Sequence, residues 1–99
     1  MKRRAKFRPE ARAEASEALA WEELTSVDHR ARLERQLTRV TALIEQYPEI
    51  GMVVKNNSRR FLVRGSRYAV IYRLHSDYIE IVALAHTSRD PDYWLDRLP

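Results

Sequence analysis

The sequence predicts an α+β fold in which a helical hairpin packs on one face of a small, mostly antiparallel sheet. The order is β-α-α-β-β-β with a short C-terminal helix. Three observations carry this. Leu33, Leu37, Val40, Ile44 and Tyr47 recur at alternating steps of four and three, the spacing of one face of a long helix. Arg60 to Arg64, Tyr68 to Leu74 and Tyr78 to Leu84 are rich in Val, Ile, Leu, Tyr and Phe, with too little polar spacing for a one-sided helix. The 99 residues, 44% of them hydrophobic and 32% charged, suit a single domain over 1–99 that buries its own core.

Taken in order, Lys2 to Arg8 alternates charged and less polar positions and reads as a short half-buried strand. Pro9 has the φ of a first helical turn, and Glu10 places negative charge at the positive end of the helix dipole, so the first helix starts there. Its stripe is Ala11, Ala15, Ala18 and Leu19, extended by Trp21 and Leu24, and its small residues predict close packing on a neighbour. Thr25, Ser26 and Asp28 offer capping oxygens for the second helix, which Pro48 ends. So short a link predicts an antiparallel hairpin. Its stripe spans only about two heptads, too short for a coiled-coil seam, and is assigned to the core.

Gly65-Ser66 reads as a two-residue turn between the first two later strands, with glycine at its first central position. His75-Ser76-Asp77 separates the next pair. Asp90 and Pro91 read as the cap and first turn of a C-terminal helix carrying Tyr93, Trp94 and Leu98.

No cysteine is present, which excludes disulfides and thiolate chemistry and agrees with a cytoplasmic location. No stretch approaches the roughly 20 apolar residues of a membrane span, and the charged start lacks an apolar region behind it. Neither membrane nor secretion is expected. The net charge of +4 points to an anionic partner, nucleic acid or acidic protein. Bases crowd the start (Lys2, Arg3, Arg4, Lys6, Arg8) and the second half, whereas Glu10, Glu14, Glu17, Glu22 and Glu23 cluster between. The early basic face serves equally to contact nucleic acid or to protect a strand edge. His29 and His75 fall at element boundaries and are assigned to turns, with no metal and no cofactor expected. Trp21 is expected to close the sheet against the helices, while Trp94 is open to burial or to anchoring a partner.

Several runs then carry a resemblance. They are Phe7-Arg8-Pro9-Glu10-Ala11 with Glu14 and Ala15, Trp21-Glu22-Glu23, and Tyr47-Pro48-Glu49-Ile50-Gly51. The second half adds Arg60-Phe61-Leu62-Val63, Tyr68-Ala69-Val70-Ile71-Tyr72-Arg73, Ile79 to His86, and Arg89 to Trp94. In this order the chain resembles the RelE/ParE superfamily of toxins from type II toxin–antitoxin systems, the ParE-like branch above all. The resemblance implies a growth-inhibiting toxin of the kind linked to plasmid stabilisation. A cognate antitoxin would neutralise it within a hetero-oligomer. The target implied by the ParE branch is DNA gyrase; the RelE branch implies the ribosome and cleavage of its mRNA.

A metal-free ribonuclease needs a base, cations for the phosphate and an acid. Where the RelE-like pattern carries two arginines and a tyrosine, this chain has Ala69, Thr87 and Tyr93. Each missing charge-directed contact costs on the order of 2.7 to 4 kcal/mol of transition-state stabilisation, so a non-enzymatic inhibitor is favoured and no catalytic residue is assigned. A substitute site would use His86 as acid or base with Arg89, Tyr93 and Arg64. The partner-binding candidates are Arg64, Arg73, His86, Arg89, Tyr93 and Trp94. A small nucleic-acid-binding module is a third reading, prompted by the pI of about 9.8 alone.

Overall fold

A computed structural model describes residues 2–99. The N-terminal alternation forms β1 (Arg4–Phe7), and Pro9 opens α1 (Pro9–Glu23). Ser26 caps α2 (Val27–Gln46), its hydroxyl accepting the His29 amide at 3.1 Å. The second half supplies β2 (Met52–Val53), β3 (Ser58–Leu62), β4 (Tyr68–Leu74) and β5 (Tyr78–His86). The sheet order is β1-β5-β4-β3-β2, with β1 parallel to β5 and the other pairs antiparallel.

The helical hairpin covers one face. Ala11 and Ala18 of α1 and Leu33, Val40 and Ile44 of α2 pack on Val63, Val70, Tyr72, Ile79, Ile81 and Leu84. Tyr47, last of the predicted stripe, is exposed beyond the end of α2. The opposite face of the sheet is also covered, by the chain after β5. Trp94 and Leu98 bury themselves against Ile71, Val82, Ala83 and Ala85. Double coverage explains why β5 reads from Ile81 to Ala85 as a continuous apolar run and not as an alternation.

Four details depart from the sequence reading. The two-residue β2 pairs Met52 with Arg60 and Val53 with Arg59, and it is too short to carry a periodic signal. Five residues separate β3 from β4, four of them enclosed by the bond from Val63 N–H to Tyr68 C=O, and Gly65 (φ +77°) lies at the second central position of a turn closed by Ser66 N–H on Val63 C=O. The expected C-terminal helix is reduced to successive tight turns ending in one 3₁₀ turn, Leu95–Arg97, which still sets Trp94 and Leu98 against the sheet. Trp21, expected in the core, is 69% exposed, whereas Trp94 is 2% exposed.

Two polar clusters hold the flanks. The buried Tyr72 hydroxyl donates to Pro48 C=O and accepts from Gly51 N–H, each at 2.8 Å, which anchors the chain leaving α2. At the other edge, Glu80 of β5 accepts from Arg8 (2.9 Å) and pairs with His75 Nε2 (2.8 Å), and the His75 ring stacks on Tyr78. His75 is therefore half-buried and engaged, more than a turn residue. Burial pushes the Glu80 carboxyl up, but the hydrogen bonds from His75 and Arg8 outweigh it and hold the group below the usual carboxylate range.

Two outcomes follow. Tyr72→Phe strands the Gly51 amide and is expected to cost about 1–3 kcal/mol in urea unfolding; an unchanged midpoint would contradict the anchoring role. A carboxyl lowered in the folded state adds stability that is complete above its unfolded pKa and fades as pH falls through the folded value. Unfolding free energies measured from neutral pH downward should therefore decline less steeply in Glu80→Gln than in the parent.

Candidate functional site

β1 pairs with β5 only as far as Phe7 with Ile81, because Pro9 turns the chain into α1. The outer edge of β5 beyond that point is served by side chains. The small residues Ala11, Ala15 and Ala18 bring α1 close to the sheet, and Glu14 between them reaches the edge. Its Oε1 accepts the Leu84 N–H at 3.1 Å. Arg97, returning in the tail, donates to Val82 C=O at 3.0 Å and grips Glu14 through both nitrogens at 2.9 and 3.1 Å. The Tyr93 hydroxyl donates to Glu14 Oε2 at 2.5 Å, and Arg89 Nη1 lies 3.4 Å from the same oxygen. The Arg89 guanidinium stacks 3.6 Å above the Tyr93 ring.

The electrostatics follow from these contacts. Burial, and then the hydrogen bond to Glu14, raise the Tyr93 phenol far above its ordinary value, so it stays protonated. The Glu14 hydrogen bond also strengthens the cationic form of Arg97. One carboxylate thus organises a tyrosine and two arginines.

Beside this cluster a trench runs between α1 and the end of the sheet. Glu14, Glu17, Ala18, Trp21 and Glu22 form the helix wall, at the three- and four-residue spacing of a single helix face. Tyr68 and His86 form the opposite wall, their rings edge to face at 5.3 Å. His86 Nδ1 accepts the Ser88 N–H at 3.1 Å and lies 2.7 Å from the Ser88 hydroxyl. Burial, and then the charge of Glu22, raise the Tyr68 phenol.

Of the sequence-derived candidates, His86, Arg89, Tyr93 and Trp94 gather at the end of β5. Arg64 does not join them. It lies in the β3–β4 turn and lines a separate groove of roughly 420 Å³ with Arg32, Arg39, Val40, Leu43 and Phe61. Arg73 pairs with Ser58 and Glu80 near the far end of β4. Trp94 is enclosed by the sheet and offers no surface while the tail is docked, so the exposed indole is that of Trp21. Ala69 is fully buried, and Thr87 is exposed just past β5. Glu14, Arg97 and Tyr68 were not singled out from sequence. The one available signal was the helical spacing that sets Glu14, Ala18 and Trp21 on a single face.

The fold and this site define a small α+β protein whose strand edge is closed by an internal ion-pair cluster beside an exposed aromatic trench. Residues 5–91 match the family described as the ParE toxin of the type II toxin–antitoxin system, parDE, and the chain belongs to that family. A solved structure titled "Chromosomal ParDE TA system from P. aeruginosa" is similar in fold, with a TM-score of 0.77 at 10% identity. The likeness covers 86% of this chain and 96% of that one. A search of the curated proteins returns no significant match. Among the described residues, no helix is long and apolar enough to cross a membrane.

Glu14→Ala leaves the Tyr93 hydroxyl and the Leu84 amide without their acceptor and Arg97 with the Val82 carbonyl alone. The expected loss is about 3 kcal/mol, with faster hydrogen exchange at Leu84. Retention of both stability and protection would show that water replaces the carboxylate.

Proposed function

We propose that the protein is a cytoplasmic toxin that inhibits DNA gyrase by binding it, and that a cognate antitoxin neutralises the toxin within a hetero-oligomer. Membership of the ParE toxin family supports the toxin and antitoxin parts of this reading. The observation that carries the non-enzymatic part is the capture of Tyr93, Arg97 and Arg89 by Glu14. General acid–base cleavage of RNA needs a proton-transfer group and uncommitted cations converging on one phosphate. Here the phenol is held protonated against a carboxylate, and both arginines sit on that same carboxylate. A phosphate approaching them would meet the negative charge of Glu14. Arg64, the remaining cation of the imagined substitute site, lines a different groove. His86 keeps its ring at the sheet end, where Arg67 lines one adjoining cleft and Arg60 and Arg89 line another, and of these only Arg89 is drawn to Glu14.

Inhibition would then proceed by rigid recognition. A body whose helices, sheet and tail are tied together loses little conformational entropy on docking, which favours a tight grip over a moderate area. Arg89 and His86, on the rim near the trench, Arg64 in the β3–β4 turn and Arg73 on β4 are the polar groups offered to partners.

The test pairs two reactions. Purified toxin is added to gyrase in a supercoiling assay and, separately, to a translation reaction whose mRNA ends are mapped. Loss of supercoiling with intact messenger is the expected result, reversed when the antitoxin encoded beside the toxin is supplied. New messenger ends that disappear in His86→Ala would replace this reading with that of a ribosome-dependent endoribonuclease.

A further inference from the structure

We propose that the trench between α1 and the end of β5 receives a cationic side chain, arginine foremost, presented by a protein partner. The trench offers this site whether or not gyrase is the target.

Trp21 is the starting point. An indole is normally placed to bury most of its surface, yet this one is 69% exposed, with Leu24 and Val27 equally bare at the hairpin tip. It stands across the trench from Tyr68 and His86, so the lining is aromatic on both walls. Aromatic faces attract cations, most strongly the face of tryptophan and most often to arginine. Two adjoining clefts, of roughly 250 and 400 Å³, share these three rings. Together they give room for an extended side chain and its flanking backbone.

Charge selects the occupant further. Glu17 and Glu22 line the helix wall, and neither makes an ion pair among the described residues. Glu14, one turn earlier, shows what a carboxylate at this edge does when a guanidinium is available: it takes the Arg97 fork in two hydrogen bonds. Of the two cations at the trench, Arg89 is already compensated by Glu14 and Tyr93, which leaves Arg67, lining the second cleft beside Tyr68 without an ion pair among the described residues, against the two unpaired carboxylates of Glu17 and Glu22. The walls therefore disfavour a nucleic-acid phosphate and favour a basic protein segment. The strand register supplies the backbone contacts. Ala85 pairs inward with Ala69, and Leu84 N–H points outward to Glu14, so Leu84 C=O and His86 N–H face the open edge above the trench.

The experiment uses the full chain and capped tripeptides as probes: Gly-Arg-Gly, its citrulline counterpart and Gly-Glu-Gly, with an oligouridine RNA as the nucleic-acid arm. Two-dimensional nitrogen–proton spectra report the Trp21 indole and the His86 amide, and the buried Trp94 indole serves as the internal reference. The arginine tripeptide is expected to shift Trp21 and His86 while Trp94 stays in place, and citrulline is expected to do little. The Glu17→Gln/Glu22→Gln double variant should bind about threefold to tenfold more weakly. Trp21→Ala should abolish the His86 shift. Both variants change exposed or half-exposed positions, and the remainder of the spectrum verifies folding. Equal shifts with citrulline, stronger shifts with the acidic peptide or the RNA, undiminished binding by the double variant, or no shift with any probe would each overturn the proposal.

Discussion

The ion pair between Glu14 and Arg97 is the constraint on which the rest of this molecule turns. A strand edge with open N–H and C=O groups invites pairing with other chains, and proteins close such edges in different ways. Here β1 covers half of β5 and then leaves as α1, so the uncovered half is closed by side chains. Glu14 takes the Leu84 amide and Arg97 takes the Val82 carbonyl. The two side chains also bind each other, so the closure joins α1, β5 and the tail in one knot. A similar device acts on β1, whose Ala5 amide donates to Glu45 of α2 at 2.8 Å. Both contacts tie the helical hairpin to the sheet by hydrogen bonds as well as by the apolar core.

Much of the fold was legible because long elements repeat their pattern. The α2 stripe of Leu33, Leu37, Val40 and Ile44 and the apolar runs of β4 and β5 each contain enough positions to separate a helical from an extended period. β2, at two residues, contains no period at all, and it exists because Tyr72 and Arg59 hold the preceding segment in place. Gly65 was correctly placed in a turn, but the size of that turn depends on whether Arg64 and Arg67 extend the ladder, which is a matter of strand twist and not of local propensity.

The site was harder to read, for a different reason. Glu14 looks in sequence like any acid on a solvated helix face, and Arg97 like a tail charge. Only the return of the tail across the sheet brings them together. The expectation of a buried Trp21 fails, and the open reading of Trp94 resolves to burial, because burial of an indole is decided by which surface lacks cover. Ala11, Ala15 and Ala18 already let α1 pack closely on β5, leaving Trp21 beyond the contact, while the far face of the sheet had no helix and needed Trp94. The segregation of charge was visible, but its meaning was not. The acids of α1 line a trench, and the arginines of α2 line a separate groove with Arg64.

The far face also bears on position 69, where the RelE-like pattern carries an arginine and this chain has alanine. Ala69 pairs with Ala85 and alternates with Ile71, so its side chain belongs to the face that Trp94 and Leu98 cover. The methyl groups of Ala69, Ala83 and Ala85 leave the depth that lets a large indole lie on the sheet. A long cation at position 69 would have to emerge where the tail now packs, either displacing Trp94 or burying its charge beneath it, which costs several kcal/mol without a partner. Closing this face with an indole and opening it to a phosphate are therefore alternative uses of one surface. By placing alanine at position 69 and tryptophan at 94, this chain has taken the first.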